Sequence, residues 1–352
     1  MRELSKVLDT IVAPDGRAGL EAQKALDQLT KPPGSLGRLE GLARRLSEIS
    51  GRFPPVVERA VIFTLAADHG VVAEGVSAYP QVVTTQMVEN LLRGGAAVNV
   101  LARHAGARVV VVDMGVAGPV SADPDLVVRR IGAGTRNMVS GPAMSRDEAV
   151  AAIETGMSLV SGEASRGLDL IGTGEMGIGN STAASAVVAA LTNAPVDAVT
   201  GLGTGVDEEG RRRKVAAIER ALAVNRPDAG DGLDVLAKVG GFEIAGLAGV
   251  MLGGASRRIP VVVDGFIAGA AALAAVRIKP EARHYLLASH RSTEPGARHV
   301  LEALALEPYL DLGMRLGEGT GAALLIGLAK AAVKILGEMA TFKSAGVTDR
   351  AP

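Results

Sequence analysis

Short apolar runs alternate with helically spaced ones over most of the chain. "VIFTLA" (61–66), "RVVVVD" (108–113), "LDLIG" (168–172), "IPVVVD" (259–264) and "HYLLAS" (284–289) are brief and apolar, so they predict buried strands. "DAVTG" (197–201) is a weaker candidate. Between the runs, helical spacing predicts helices over 83–104, 145–165, 181–192, 207–224 and 266–276, among others. Such alternation predicts an α/β fold, with a mainly parallel sheet covered by helices on both faces. The first sixty residues look helical instead, with "GLEAQKALDQL" and "LEGLARRLSEIS" separated by the breakers Pro32, Pro33 and Gly34. The last forty return to helix in "GAALLIGLAKAAVKILGEMA". The two ends are expected to form one small helical domain, residues 1–60 together with 325–352, beside a large α/β domain over 61–324.

Composition supports this picture and removes several functions. Of 352 residues, 48% are hydrophobic but only 2% aromatic, with no Trp, so the core must be built from Val, Leu, Ile and Ala. A formal net charge of -1 offers no basic surface for nucleic acid or an anionic membrane. With no Cys, disulfides, thiol catalysis and cysteine-metal sites are excluded. The start, "MRELSKVLDT", lacks the apolar core of a signal peptide. The most apolar stretch, 259–276, contains Asp264 and two glycines, which predicts strand, turn and helix and no membrane span. A cytoplasmic protein is the expectation.

In an open parallel sheet, ligands sit beyond the carboxyl ends of the strands. Here those ends carry Asp68-His69, Asp113, Glu175, Asp264 and Ser289-His290. Each alone reads more simply as a helix cap. Five together form a rim suited to a polar small molecule.

One of these ends opens "LDLIGTGEMGIGNSTAASAVVAAL", where Gly172, Gly174 and Gly177 spell G-x-G-x-x-G. A dinucleotide fingerprint needs its helix to open within the glycines. Here "GIGNS" intervenes, and the best helix caps are Asn180 or Ser181. An acid follows at the expected distance, Asp197, but on the weakest strand candidate. The longer loop still suits an anion: Gly177 and Gly179 permit close backbone approach, and Asn180-Ser181-Thr182 offers free N–H groups at a helix start. From the loop alone, a phosphate cradle and a tight turn without ligand are equally good readings. Lys214 in "RRRKV" (211–215) would add charge to a cradle, although such runs are more often solvated helix faces. The five His form no HExxH or close pair, and no P-loop or G-x-S-x-G is present, so metal, triphosphate and hydrolase-triad chemistry lose support.

Taken together, "LTKPPGSLGRLE", "AADHGVVAEGVSAYPQ", "TRNM", "GTGEMGIGNST", "GLGTG", "VGGFEIAGLAG", "VVVDGF", "SHRSTEPG" and "LGEGTGAAL" resemble, in this order, the nicotinate-nucleotide–dimethylbenzimidazole phosphoribosyltransferases. The likeness runs from about residue 3 to about residue 346, and "GEMGIGNST" and "LGEGTGAA" are its most specific parts. It implies a Rossmann-like parallel sheet with a smaller helical domain from both chain ends, a homodimer, and no metal or other cofactor. It implies transfer of the phosphoribosyl group from nicotinate mononucleotide to 5,6-dimethylbenzimidazole. The products are α-ribazole 5'-phosphate and nicotinate, in assembly of the cobalamin lower ligand. The glycine loop then holds one nucleotide's phosphate.

By the same resemblance, Glu318 in "LGEGTG" is the general base and Glu175 the second active-site acid. Gly177, Gly179, Asn180, Lys214 and Ser292 fall at phosphate or ribose positions. Ser77, Tyr79, Gln86 and Leu316 fall at the wall that receives the aromatic base. Glu318 lies just before a helix start, which should favour its ionised form. Two rival readings stay open: a transferase of the same family preferring a purine or phenol acceptor, and a mononucleotide-binding protein without catalysis. Keeping both Glu175 and Glu318 speaks against the latter, because a binder needs no base.

Overall fold

The computed structural model describes residues 2–348, so residue 1 and residues 349–352 of the expected small domain lie outside the described residues. The chain opens with α1 (Arg2–Thr10), α2 (Arg17–Asp27) and α3 (Arg38–Ser50), and then enters β1 (Ala60–Ala67). A 3-10 turn over Gly70–Glu74 leads to α4 (Val82–Leu92), α5 (Ala97–Ala105), β2 (Ala107–Gly115) and the short β3 (Leu126–Val128). Next come α6 (Arg146–Ala164), β4 (Leu170–Met176), α7 (Asn180–Thr192), α8 (Val196–Val199), α9 (Glu208–Asn225), α10 (Gly232–Val239) and α11 (Phe242–Ser256). The chain closes with β5 (Val261–Val263), α12 (Phe266–Ile278), a 3-10 turn over Pro280–Tyr285, β6 (Leu286–Ala288), α13 (Gly296–Leu304), α14 (Thr320–Glu338) and α15 (Phe342–Ala345).

All six strands run parallel in the order β3-β2-β1-β4-β5-β6. Every residue of β1 is buried, which is why its sequence shows no polar alternation. After β3 the chain returns to the other side of β1 and builds outward again from β4. The order therefore reverses between β1 and β4, and a crevice opens beyond their carboxyl ends.

Two sequence expectations fail locally. The stretch 197–201 is not a strand: Pro195 precedes the one-turn α8, whose C-cap Thr200 is extended but pairs with no strand among the described residues. The single helix expected over 83–104 is two, because Gly94 and Gly95 separate α4 from α5. The edge strand β3 was not anticipated; three residues are too few to show a period. The apolar stretch 259–276 forms β5, a turn at Asp264 and α12, as read.

The chain ends touch. Leu29 pairs with Thr341, Thr30 N–H donates to the Ala340 carbonyl, and α14 packs on α3. Among the described residues, α14 alone is long and apolar enough to cross a membrane, and half of its most apolar window is buried within the protein.

Candidate active site

β4 ends in Gly172, Thr173, Gly174, Glu175 and Met176, so two of the motif's glycines lie inside a strand. A Cβ on Gly172 would come within 2.8 Å of Ile62 and 3.2 Å of Ala322. One on Gly174 would overlap the Glu318 carbonyl oxygen. These glycines therefore make room for the turn that delivers Glu318 and for the start of α14. Gly177 and Gly179 are likewise close-packed. Side chains there would overlap the Ala67 carbonyl and crowd Val72 and His69 respectively, so protein contacts alone account for both glycines.

α7 begins one residue earlier than the caps expected from sequence. Gly179 is the cap, at φ 94°, and Asn180 is the first helical residue. The Asn180 side chain is otherwise engaged: its Nδ2 donates to Glu175 Oε2.

Glu318 is held in an uncommon backbone. Gly317, Glu318 and Gly319 all lie in the left-handed region, at φ 87°, 63° and 99°. For a residue with a side chain this costs free energy, and surrounding contacts must fix it. Thr64 Oγ1 donates to the Glu318 carbonyl at 3.1 Å, and the Glu318 N–H donates to Glu175 Oε1 at 3.4 Å. Asp264 accepts the Gly319 and Ala322 N–H groups at 3.2 and 3.0 Å. Strands β1 and β4, and Asp264 just beyond β5, thus each contribute to the turn. The Glu318 carboxylate is buried, and its Oε2 has no hydrogen-bond partner among the described residues.

The two acids share a low-dielectric crevice. Burial pushes Glu175 up to about 8, with repulsion from Asp264, Glu243 and Glu318 adding to it. Burial, then Asp264, raises Glu318 as well. Desolvation therefore outweighs the helix-start effect that was expected to favour the ionised form. Burial also raises Asp264 and Asp68.

Lys214 lies across the same strand ends. It is fully buried, and its Nζ donates to Ser181 Oγ at 3.0 Å and to the Gly201 carbonyl at 3.2 Å. The run 211–215 is therefore not wholly a solvated face. Arg211 instead pairs with Asp197 and Glu208, and Arg213 with Glu209. Asp197, the acid a dinucleotide site would use, is engaged at the surface. Ser292 is buried, two residues before Glu294, whose N–H donates to Ser292 Oγ at 3.4 Å.

Of the expected acceptor-wall residues, Ser77 and Tyr79 lie on a loop that reaches the 201–205 loop, where the Ala78 N–H donates to Thr204 Oγ1 at 3.4 Å. Leu316 is exposed, beside Arg315, whose Nη1 donates to the Gly203 carbonyl at 2.9 Å. Gln86 is exposed on α4, and among the described residues no hydrogen bond or ion pair ties it to this cluster. Tyr79 and Leu316 thus present exposed apolar surface at the rim.

The rim residues Asp68 and His69 serve as supports. Asp68 accepts Thr84 Oγ1 and the Ala117 N–H, each at 2.7 Å, and Thr84 Oγ1 accepts the Ile178 N–H at 3.0 Å. His69 Nε2 bonds Glu243 Oε1 at 2.7 Å, both side chains being buried. Sequence reasoning missed Thr64, Thr84, Glu243 and Glu294. Glu243 and Glu294 sit in the family-like segments "VGGFEIAGLAG" and "SHRSTEPG", Thr64 and Thr84 in no such segment, and only the topology shows what any of them touches. Larger hollows, of about 500 and 650 Å³, lie by α6 and α11 and between α5 and α14. Neither gathers unpartnered buried carboxylates, so the polar cluster marks the site better than size does.

Buried acids over the switch point of a parallel sheet, with a lysine beside the helix-start loop, define a nucleotide-handling α/β enzyme. A phosphoribosyltransferase family model matches residues 11–347. The chain belongs to the nicotinate-nucleotide–dimethylbenzimidazole phosphoribosyltransferase family. It is 56% identical over 350 residues to the enzyme so named from Roseiflexus sp. (strain RS-1), covering 99% of each chain. With the one from Geobacter metallireducens it shares 56% over 347 residues, 99% of this chain and 98% of the relative. The crystal structure of CobT from Thermus thermophilus superposes with a TM-score of 0.90 at 50% identity, over 95% of this chain and 99% of that one.

Proposed function

We propose that the protein transfers the phosphoribosyl group of nicotinate mononucleotide to 5,6-dimethylbenzimidazole, giving α-ribazole 5'-phosphate and nicotinate for the cobalamin lower ligand. The observation that carries the reading is the Glu318 turn: a buried carboxylate with an unpartnered oxygen, beside Glu175. A binder without catalysis has no use for a base held in a strained backbone.

One acceptor ring nitrogen attacks C1' of the ribose while the C1'–N bond to the pyridinium breaks. The pair of electrons returns to the ring, and nicotinate leaves without needing a general acid. The proton on the acceptor's other nitrogen becomes acidic and passes to Glu318. One base suffices, unlike the acid-and-base pair of glycoside hydrolysis. C1' turns cationic in the transition state, and Glu175 is positioned to stabilise it. Burial holds Glu175 at about 8, so it is largely protonated at neutral pH. The cationic pyridinium, brought alongside, favours its ionised form. Lys214, Ser181 and the start of α7 receive the phosphate, with Gly177, Gly179, Asn180 and Ser292 around it. Ser77, Tyr79, Gln86 and Leu316 form the acceptor wall. Much of the rate comes from holding both substrates in register.

We also propose a homodimer, in which each chain pairs its two ends into a small helical domain. A hollow whose lining joins Leu101, Leu312, Leu324 and Leu328 with Glu58, Lys330 and Lys334 supports the dimer, and the pairing of Leu29 with Thr341 supports the domain. Light scattering of the purified protein tests the dimer. The activity is tested by supplying nicotinate mononucleotide with a panel of benzimidazole, purine and phenol acceptors and identifying the products by mass. Dimethylbenzimidazole should give the highest kcat/KM. A preferred purine or phenol would move the protein to another acceptor class, and no product with any acceptor would refute catalysis.

A further inference from the structure

Lys214 is an ammonium buried against two neutral acceptors, Ser181 Oγ and the Gly201 carbonyl. That surrounding does little to offset the loss of water around a charge. On its own helix, Arg211 is committed to Asp197 and Glu208, Arg213 to Glu209 and Arg220 to Glu74. From the facing loop, Arg315 places a further cation on the Gly203 carbonyl. α7 supplies Ser181 there, which carries no charge.

One acidic side chain faces this group. Glu294 is buried, its Oε1 accepts the Gly203 N–H at 3.2 Å, and its Oε2 has no hydrogen-bond partner among the described residues. That free oxygen packs so tightly on Gly201 that a Cβ there would overlap it. Lys214 and Glu294 thus grip the same loop, the lysine by the Gly201 carbonyl and the glutamate by the Gly203 N–H. No direct ion pair joins them among the described residues.

We propose that Glu294 is a positioning residue, the resident counter-charge of the phosphate cradle, which fixes the 201–203 loop and keeps Lys214 cationic until a nucleotide phosphate arrives. The inference rests on the reading of Lys214 as a phosphate ligand. Burial lowers the lysine to about 8, and the pull of Glu294 opposes that fall. A resident anion also has a cost. It repels the incoming phosphate, so its removal should act in opposite directions at low and high pH.

The test is Glu294→Gln, which keeps the size and an acceptor for Gly203 but removes the charge. The Lys214 side chain is titrated by NMR in the intact protein, its signal assigned by its loss in Lys214→Met. Its midpoint should fall by about one pH unit in Glu294→Gln, roughly a tenfold weaker hold on the proton. Glu294→Asp should restore it. The KM for nicotinate mononucleotide should then climb at a lower pH than in the unsubstituted protein. An unchanged Lys214 midpoint in folded Glu294→Gln would overturn the counter-charge role, as would a KM raised equally at every pH. If Lys214→Met leaves that KM unchanged, the phosphate reading of Lys214 has failed instead, an outcome the titration distinguishes.

Discussion

Glu175→Gln should make the protein more stable above neutral pH, by an amount that follows from the crevice. Burial, helped by Asp264, Glu243 and Glu318, moves this carboxyl from 4.5 to about 8. The folded state therefore binds the proton more tightly than the unfolded chain does. The stability this group allows is complete below about pH 4.5 and is lost as pH rises toward 8. Each pH unit of that displacement is worth about 1.4 kcal/mol, so the unsubstituted protein forfeits about 3 kcal/mol at pH 7 and about 5 kcal/mol at pH 9. Gln resembles the protonated acid and cannot ionise. Asn180, which donates to Oε2, can turn its amide to match it. Denaturant unfolding of both proteins at pH 5, 7 and 9 is the assay, and the difference should widen steadily with pH while turnover falls. A variant destabilised equally at all three pH values would refute the reasoning, because the accepted hydrogen bonds would then outweigh the buried charge.

Lys214→Met should raise the KM for nicotinate mononucleotide at least tenfold, in line with about 1.5–3 kcal/mol for a charge-assisted contact, and steady-state kinetics will show it. In the unsubstituted protein the same KM should rise as pH climbs through about 8, where Lys214 loses its proton. Gly174→Ala places a methyl group against the Glu318 carbonyl, so it should cut kcat more than tenfold and cost about 1–3 kcal/mol of stability, read by turnover and thermal melting. Calorimetric titration with NAD should show no binding comparable to that of nicotinate mononucleotide, because the helix after β4 opens only at Asn180.

The parallel sheet was legible because buried strands are written as unbroken apolar runs, and β1 and β2 are long enough to show it. β3 was not, since Leu126, Val127 and Val128 are too few to establish a period. "DAVTG" misled because so short a run fits a helical turn as well as a strand, and Pro195 begins the turn. The strand-end rule picked out Asp68, Glu175, Asp264 and His290, all of which are buried at the crevice. It could not find Glu318, which arrives on a turn from outside the sheet and was identified only through its motif. The glycine motif was visible, but its purpose was not: Gly172 and Gly174 seat that turn and α14, a contact between residues about 145 positions apart in sequence. Glu294 escaped for the same reason, since its partner Gly203 lies in another loop.

The most direct test of the account is kcat for Glu318→Gln across pH, with dimethylbenzimidazole as acceptor and nicotinate mononucleotide saturating. The substitution keeps the side chain's size and removes the base, so kcat should fall about 10²–10⁴-fold, while nicotinate mononucleotide binds as before. The decline in rate toward low pH that protonation of Glu318 produces should vanish with it. Adding Glu175→Gln should lower kcat further through its own part in stabilising C1', and only a loss greater than the two single losses combined would mean that Glu175 had taken up part of the base's work. Turnover near that of the unsubstituted protein at neutral pH, in a folded protein lacking both carboxylates, would contradict the assignment.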